Sequence, residues 1–395
     1  MTGKRKLHIL ILSSWYPNRD HPLGGVFVRQ QAQALRKAGH QVGVISEPKL
    51  KSKVGLLHIR KPSQFSTQVT KVVEQGIPVY HSQTWGWFPG FLHDANVKLL
   101  QGAVERIYRR YVQEHGKPDL IHGHSILYGG FLATWLGERE NLPSMVTEHA
   151  TTVLRGAVPA RKVKYLGRTL KQAGRTLAVS PALAAKLCKI GPQAEVEVLG
   201  NMVDVDFFQP AAKALPASPF HFSSIAYLRP QKGMDVLLQA FRNAFVGSQV
   251  QLSIAGDGPE RPHLERQAIA LGLEDQVNFL GALDRLEVRD LIRRSHVVVS
   301  ASRVETFGIT MIEAMACGKP VIATASGGPE SFLTEQDGIV IPIENAPALA
   351  SAMKKMKNNY TYYQPEEIRV RCVNRFSETA IVNRLEDIYA ELVRA

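Results

Sequence analysis

The sequence predicts an α/β protein of two Rossmann-like domains that face each other across a deep cleft. Short apolar, β-branched runs alternate with amphipathic helical patterns in both halves of the chain. A stretch containing Pro210, Pro216 and Pro219 separates the halves, and 395 residues exceed one typical domain. Because a βαβ order implies parallel strands with right-handed crossovers, we expect ligands at the carboxyl ends of both sheets.

The predicted first domain spans residues 1–210. It begins with a strand over Leu7–Ser14, a loop ending at Gly24-Gly25, a helix over Val26–Ala38 and a strand over Gln41–Ser46. Residues 51–115 are less regular, and we expect an irregular strand segment followed by a helix over about Asp94–Glu114. Further strands are predicted over Pro118–His124, Met145–His149 and Thr176–Ser180. These strands complete a parallel sheet.

The predicted second domain spans residues 211–375, and we expect a helix over 376–395 to pack back on the first domain. Its central stretch is a strand, a turn and a helix that begins near Gly308 and stops at Gly318. First-turn amides of a helix lack intrahelical partners and favour an anion such as a diphosphate. Glu305 in the turn and Glu313 in the helix are placed for separate contacts with one ligand, although alone they could be two solvated carboxylates.

Two other loops of this domain carry chemistry that suits a nucleotide diphosphate. Arg229 and Lys232 place two cations just before a helix, where they can neutralise phosphate. Gly256 and Gly258 allow a loop to approach a ligand closely. No G-x-G-x-x-G or Walker A pattern occurs, which argues against the usual nicotinamide and ATP loops.

The net charge of +13 is concentrated in the first half. Residues 1–200 contain 28 Lys and Arg against 12 Asp and Glu, and residues 150–194 contain nine basic residues and no acid. The basic segment 155–175 could be a solvated face, or could bind anionic lipid headgroups or a phosphorylated acceptor. Nucleic acid is not expected, since no aromatic-interleaved basic motif accompanies the charge.

The remaining bulk features favour a cytoplasmic protein, for which the basic segment 155–175 leaves peripheral association at the inner membrane face open. No apolar run approaches the roughly 18 residues that span a bilayer. The basic start and the apolar run Leu7–Leu12 imitate a signal peptide, but no small-residue cleavage site follows. Three cysteines without metal spacing offer neither a disulfide framework nor a zinc site.

The motifs together closely resemble the retaining glycosyltransferases of family 4. The resemblance rests on the runs Glu305-Thr306-Phe307-Gly308-Ile309-Thr310-Met311-Ile312-Glu313-Ala314-Met315-Ala316-Cys317-Gly318-Lys319-Pro320, Gly327-Gly328-Pro329-Glu330, Leu23-Gly24-Gly25-Val26-Phe27-Val28-Arg29, Asn201-Met202-Val203-Asp204, Lys232-Gly233 and Gly256-Asp257-Gly258-Pro259. Their order is colinear with the family over about the whole chain. Membership implies the GT-B fold and a nucleotide-diphosphate sugar as donor.

Positions carried over from the family imply roles for individual residues. The donor contacts are Glu313 with the ribose, Glu305 with the transferred sugar, Lys232 and Gly25 with the diphosphate, the backbone of Thr306, Phe307, Gly308, Ile309 and Thr310 with phosphate and sugar, Gly256 with the ligand, and Gly281 and Ala282 with the base. His124 is expected to face the sugar, with His149 and Asn201 toward the acceptor. One position departs from the family, because Tyr227 stands where an Arg is frequent, and we expect Arg229 to replace that charge.

The resemblance also implies the reaction. Retaining enzymes of this type need no protein nucleophile, because the leaving diphosphate helps to deprotonate the acceptor on the same face. Lys232, Arg229 and helix amides would stabilise the leaving charge. Asp204-Val205-Asp206 looks like a metal-binding D-x-D, but it lies in a segment that the family uses structurally, so no metal and no other cofactor are expected. The acceptor is expected to be a saccharide or a lipid-linked saccharide.

Two other functions remain open on the sequence. A nucleotide-sugar 2-epimerase of the same fold would release an epimerised nucleotide sugar without an acceptor. A non-catalytic polyanion-binding protein would use the basic first half and bind in a salt-sensitive manner. The presence of all the donor-side residues favours the transferase.

Overall fold

The computed structural model describes residues 5–18, 21, 24–51, 68–85, 93–212, 215–216 and 218–394. The chain forms two compact units. The first comprises Met1–Val179, Leu183–Leu199 and Val382–Ala395, and the second comprises Ser180–Ala182 and Gly200–Ile381. Part of the irregular strand segment predicted after residue 51, and Leu23 of the first-domain motif, lie outside the described residues.

The chain up to Leu199 alternates strands and helices as predicted. Its elements are β1 (His8–Ser13), α1 (Val26–Lys37), β2 (Gln41–Ser46), β3 (Lys49–Lys51), β4 (Gln68–Glu74), β5 (Ile77–Trp85), α2 (His93–His115), β6 (Leu120–His124), a π-helical turn (Ile126–Gly130), α3 (Phe131–Glu140), β7 (Ser144–Glu148), α4 (Thr151–Leu154), α5 (Ala160–Gln172), β8 (Arg175–Ala178), α6 (Pro181–Ile190) and β9 (Val196–Val198). The predicted long helix is α2.

The first sheet has nine strands within the described residues, in the order β3-β5-β2-β1-β6-β7-β8-β9, with β4 on β5. β1 is buried along nearly its whole length because it lies in the middle of the sheet, parallel to β2 and β6. Helices α2 and α3 cover one face through residues such as Tyr111 and Phe131. The predicted parallel pairing holds among β1, β2, β6, β7, β8 and β9, and within the segment predicted to be irregular β4 and β5 form an antiparallel hairpin. The two-residue turn Gln75-Gly76 closes that hairpin, with φ values of 48° and 79°.

The second unit repeats the alternation. Its elements are β10 (His221–Ile225), a 3₁₀ turn (Pro230–Lys232), α7 (Met234–Phe245), β11 (Gln251–Ala255), α8 (Arg261–Ala270), β12 (Val277–Gly281), α9 (Arg285–Arg294), β13 (Val297–Ser300), α10 (Ile309–Ala316), β14 (Val321–Thr324), a 3₁₀ turn (Pro329–Ser331), β15 (Gly338–Ile341), α11 (Ala346–Asn358), a 3₁₀ turn (Tyr360–Tyr362), α12 (Pro365–Phe376) and α13 (Glu378–Arg394).

The second sheet is parallel throughout its described strands, in the order β12-β11-β10-β13-β14-β15. The strand order reverses at β10, which lies between β11 and β13. Ligands of open parallel sheets bind at such a switch point, outside the carboxyl ends of the strands. β15, a four-residue edge strand that begins at Gly338 directly after Asp337, was not predicted.

The last helix, α13, crosses from the second unit to the first, and residues from Val382 onward belong to the first. Glu386 lies 2.9 Å from the Nε2 of buried His40, and the Tyr389 hydroxyl lies 2.8 Å from the Nδ1 of His122. In the part of the chain that the structure describes, no helix combines the length and the apolar character that a bilayer crossing requires.

Candidate functional site

The strand-turn-helix predicted around Glu305 is confirmed by the structure. The loop after β13 leads into α10, and Gly308 precedes the first helical residue with φ 109°. A Cβ at this position would lie 2.1 Å from the Met311 Cε, the movable end of a flexible side chain, so it is the φ of 109° that favours glycine here. The first-turn amides of α10 therefore emerge at the carboxyl edge of the second sheet, at its switch point.

Glu305 and Lys232 meet at this edge. The Lys232 Nζ donates to the Glu305 Oε2 at 2.7 Å, and the two side chains are 30% and 16% exposed. The Glu305 amide donates to the Ser326 carbonyl at 3.0 Å, which ties the loop to the end of β14. A cavity of about 280 Å³ opens beside the pair. Its described lining includes Tyr227, Lys232, Glu305, Gly308, Ile309 and Thr310.

Arg303 fixes the distance between the two loops that carry this pair. Its guanidinium donates to both oxygens of Asp235, at 3.0 and 2.7 Å, and its Nε donates to Glu344 at 3.0 Å. The Arg303 amide donates to the Gln231 carbonyl at 2.8 Å, and its Nη1 also donates to the Pro230 carbonyl. The turn that presents Lys232 is thereby joined to the segment that presents Glu305. Sequence reasoning assigned Arg303 no role.

Glu313 lies in the second turn of α10, half-buried. Burial raises the pKa of its carboxyl to about 7, while the nearby Arg285 acts in the opposite direction. A carboxyl with a pKa of about 7 is only partly ionised at neutral pH, whereas an ordinary exposed glutamate is fully ionised there. The described lining of the cavity beside Glu305 does not include Glu313.

The loop residues between the two glutamates are largely committed to packing. Thr306 is buried, and the Phe307 ring packs at 5.1 Å from Phe332 and 5.6 Å from Phe376. For Thr306 and Phe307, contact with a ligand is therefore left to the backbone. Asn201 is half-buried and follows Gly200, whose Cα lies against the Phe307 ring.

The predicted base-binding segment lies at the carboxyl ends of β11 and β12. The Gly256 amide donates to the Gly281 carbonyl at 2.7 Å, which joins the two loops, and Ala282 follows directly. The Arg261 guanidinium lies close to the Cα of Gly281. A cation therefore flanks this segment, a feature that the sequence analysis did not assign.

Arg229 and Tyr227 are in contact. The Arg229 guanidinium lies 4.7 Å from the centre of the Tyr227 ring, a cation–π geometry. Tyr227 lines the cavity beside Glu305, whereas Arg229 is exposed and is not part of that described lining. The Arg229 guanidinium thus lies over the Tyr227 ring, outside the described lining of this cavity.

In the first unit, three imidazoles form a row at the carboxyl ends of β6 and β7. The rings of His122 and His124 stack at 4.3 Å, and those of His124 and His149 at 5.3 Å. All three residues are buried. Burial lowers the pKa of His124 to about 3 and holds the pKa of His122 well below its ordinary value of 6.5. Both rings are therefore neutral at physiological pH.

The hydrogen bonds of His124 determine which of its ring nitrogens carries the proton. The Gln31 amide nitrogen lies 3.3 Å from the His124 Nε2 and can only donate, so the proton of neutral His124 sits on Nδ1. That proton points to the His149 Nε2 at 3.1 Å. His122 contacts the Tyr389 hydroxyl through Nδ1 and the Thr147 hydroxyl through Nε2, both at 2.8 Å. Both nitrogens of His124 are thus engaged.

Sequence reasoning found His124 and His149 but missed His122, Gln31 and Tyr389. The period-2 alternation of β6 places His122 and His124 on the same side of the sheet and was the available signal. The Gln31 and Tyr389 contacts join residues far apart in sequence. Gly25 starts α1, the helix that carries Gln31, with φ 76°, and a Cβ there would lie 2.0 Å from the Trp15 carbonyl. The close approach of the Trp15 carbonyl therefore requires glycine at position 25 whether or not a ligand binds there.

Several cations of the basic segment 155–175 have acidic partners from other elements. Lys164 pairs with Asp94, Arg168 lies 3.5 Å from Glu138, and Arg175 lies 3.4 Å from Glu391. The Lys162 ammonium lies 5.0 Å from the centre of the Tyr128 ring. The local excess of positive charge is therefore smaller in the folded unit than in the sequence.

The Asp204-Val205-Asp206 segment takes part in structure. One oxygen of Asp204 accepts from the Arg285 guanidinium and the other from the Phe207 amide, both at 3.0 Å. Across the described residues, no group of three or more His, Cys, Asp or Glu is arranged to hold a metal ion.

Comparisons with known proteins agree with this architecture. The family model described as Glycosyl transferases group 1 matches residues 205–375, and that described as Glycosyltransferase Family 4 matches residues 24–207. The chain is 28% identical over 324 residues to a D-inositol 3-phosphate glycosyltransferase of Saccharomonospora viridis, covering 72% of each chain. It is 26% identical over 375 residues to the phosphatidylinositol N-acetylglucosaminyltransferase gpi3 subunit of Schizosaccharomyces pombe, covering 93% of this chain and 77% of that one.

Among solved structures, HepE of Anabaena in complex with UDP and glucose superposes with a TM-score of 0.74 at 19% identity, covering 98% of this chain and 100% of that one. The expected GT-B fold, with two Rossmann-like domains, is confirmed, and the class of protein is a glycosyltransferase. The two family models overlap at residues 205–207 and together cover residues 24–375. The chain belongs to glycosyltransferase family 4.

Proposed function

We propose that the protein transfers a sugar from a nucleotide-diphosphate sugar to a saccharide or lipid-linked saccharide, with retention of anomeric configuration and without a metal ion. The observation that carries the proposal is the Lys232–Glu305 pair, 2.7 Å apart, beside the start of α10. A cation, a carboxylate and open helix amides thereby converge on one cavity. This combination suits a diphosphate attached to a hydroxyl-rich sugar.

In this proposal the residues of the cavity divide the donor between them. Lys232 and the amides from Phe307 to Thr310 bind the diphosphate, and Glu305 accepts hydrogen bonds from the transferred sugar. The Lys232 ammonium has three N–H donors, so it can hold Glu305 and a phosphate oxygen together. Glu313 binds the ribose hydroxyls, and Gly281 with Ala282 lines the base.

The proposed reaction uses the leaving group as the base. The bond between the anomeric carbon and the diphosphate oxygen breaks, an acceptor oxygen bonds to the same face of that carbon, and the acceptor proton passes to a diphosphate oxygen. Lys232, Arg229 and the amides of α10 stabilise the leaving charge, which is electrostatic preorganisation. His124 hydrogen-bonds the sugar by replacing its contact with Gln31. A neutral imidazole can hydrogen-bond a sugar hydroxyl, and the low pKa of His124 keeps the ring from becoming an imidazolium cation at physiological pH.

For the acceptor side we propose peripheral attachment to an anionic membrane through the basic segment 155–175. Lys162, Lys164 and Arg168 lie on α5, an amphipathic helix. The acidic partners described above lower its net charge, so we expect binding only to strongly anionic vesicles. Phosphatidylglycerol-rich and neutral phosphatidylcholine vesicles in a flotation assay test this. Equal flotation with both would contradict an electrostatic attachment.

The central experiment begins with a thermal-shift panel of UDP, GDP and ADP and their glucose derivatives, because a ligand of the native state must raise its unfolding temperature. The donor so found is then incubated with saccharide acceptors, with and without EDTA, and the anomeric configuration of the product is read by NMR. Acceptor-dependent transfer with retention, unchanged by EDTA, is expected. Epimerised nucleotide sugar without an acceptor would instead indicate the 2-epimerase. Inversion of the anomeric configuration would refute the retaining mechanism, and loss of activity in EDTA would refute the independence of a metal ion.

A further inference from the structure

A second cavity, of about 630 Å³, lies at the outer edge of the second sheet. It is bounded by the edge strand β15, by the turn that precedes it and by the carboxyl end of α11. Its described lining shares no residue with the cavity beside Glu305. The lining groups that can recognise a ligand are Glu330, Glu335, Lys355, Asn359, Tyr362 and Tyr363.

Two tyrosines form the aromatic side of this cavity. Tyr362 is 60% exposed, and its ring packs edge-on against Tyr363, with centroids 5.4 Å apart and an interplanar angle of 88°. Tyr363 is buried. Burial, followed by the neighbouring Tyr362 and Glu335, raises the pKa of its hydroxyl, which therefore remains a hydrogen-bond donor. A large aromatic ring left open beside polar groups is typical of a binding surface.

The polar side of the cavity offers acceptors and donors in similar number. Glu330 and Glu335 supply carboxylate oxygens, Asn359 supplies an amide, and Lys355 supplies an ammonium. Leu333 and Val340 add apolar surface between them. Hydroxyl groups of a sugar can both donate to carboxylates and accept from an amide or ammonium, while the apolar face of the ring lies against an aromatic side chain. The volume falls within the range of small-molecule sites.

The charge of the lining disfavours acidic ligands. The lining contains two carboxylates and one ammonium, so a sulfated, phosphorylated or uronic-acid chain would meet net repulsion. Charge repulsion does not act on a neutral saccharide.

Glu330 also belongs to the turn behind the Glu305 loop. Its Oε1 accepts from the Gly327 amide at 2.8 Å, and Gly328 lies against the backbone of Phe307. The turn that carries Glu330 therefore packs against the loop that carries Glu305, although the two cavity linings are separate. A saccharide bound there would be held by the donor-binding unit itself.

We propose that this cavity is a non-catalytic binding site for a neutral saccharide chain, with Tyr362 as its stacking platform. The class of ligand follows from the lining of the cavity. The proposal rests on the proposed transferase function in one respect only, namely that a saccharide-handling enzyme meets saccharides.

The test measures binding by the full chain without any nucleotide sugar. Maltohexaose, cellohexaose and mannohexaose serve as neutral probes, and a heparin-derived hexasaccharide serves as the acidic comparison, in saturation-transfer NMR and titration calorimetry. At least one neutral probe is expected to bind, and Tyr362→Ala is expected to weaken it about tenfold. Tyr362→Phe should retain binding. Ile269→Ala is the matched control, because Ile269 lies in the same unit and is also 60% exposed.

The outcomes separate clearly. Absence of binding to every neutral probe, binding of heparin alone, or binding that Tyr362→Ala leaves unchanged would overturn the proposal. Unfolding temperatures equal to wild type show that the variants are folded. Because no donor is present, a protein without transferase activity can still bind saccharide here, and an active transferase can fail to bind. The failure of one proposal is therefore distinguishable from the failure of the other.

Discussion

Glu313→Gln should stabilise the protein above pH 7 while it weakens nucleotide binding. Burial raises the folded-state pKa of Glu313 to about 7 from an ordinary value of 4.5. Below pH 4.5 the carboxyl is protonated in both states and costs nothing. Between pH 4.5 and 7 the unfolded chain releases this proton and the folded chain keeps it, so stability falls as pH rises, and above pH 7 the cost is constant.

The magnitude follows from the same two values. Complete burial would give a cost of about 3 kcal/mol at pH 8. Because Glu313 is half-buried, solvent screening reduces this to about 2 kcal/mol. Glutamine has no such cost at any pH. For a unit of this size, the variant should therefore unfold about 4–8 °C above wild type at pH 8, and within about 2 °C of it at pH 5.

The assay is thermal unfolding of wild type, Glu313→Gln and the control Glu274→Gln at both pH values. Glu274 is an exposed glutamate of the same unit and should show no pH-dependent difference. Titration calorimetry should show nucleoside diphosphate binding about tenfold weaker in Glu313→Gln, because a charged acceptor for the ribose hydroxyls is lost. An equal change in unfolding temperature at pH 5 and pH 8, or destabilisation at pH 8, would refute the reasoning.

Three further predictions concern the other proposed contacts. Lys232→Ala should weaken nucleoside diphosphate binding about tenfold by removing a charge-assisted hydrogen bond, whereas Glu305→Gln should chiefly lower kcat; equal losses of affinity in calorimetry would contradict this division. Arg229→Ala should weaken donor binding several-fold, and an unchanged Kd would rule Arg229 out as the replacement for a charge at Tyr227. His124→Gln should lower kcat by about tenfold or more without altering the pH–rate profile near pH 6.5, since burial keeps the pKa of the wild-type ring near 3; a limb near 6.5 that disappears in the variant would argue for an exposed, titrating imidazole.

Much of the fold could be predicted because its signals are local. β2 has the bounds predicted from its apolar run, and α10 begins directly after Gly308, where its start was predicted. β15 was missed because a four-residue strand after a turn gives too short a run for its periodicity to be read. The β4–β5 hairpin was missed because it lies in the least patterned segment of the chain.

The candidate site was predictable in its residues and less so in its contacts. Helix-start geometry could be read around Gly308, but nothing in the sequence pairs Arg303 with Asp235, 68 positions away. The engagement of both nitrogens of His124 depends on Gln31 and His149, which the fold alone brings together. The raised pKa of Glu313 likewise results from burial in the folded protein, and the spacing of Glu305 and Glu313 in the sequence does not reveal that burial.

The route of α13 has a consequence for the order in which the protein is made. The strands of the first unit are all synthesised by Leu199, yet buried His40 and His122 receive Glu386 and Tyr389 only when the ribosome has nearly finished the described chain. The second unit, Gly200–Ile381, is synthesised in one piece, apart from Ser180–Ala182, before that point. Domains generally fold as units during synthesis, the earliest first. Here the unit that starts first is completed last, because buried His40 and His122 lack these two partners until α13 has been synthesised.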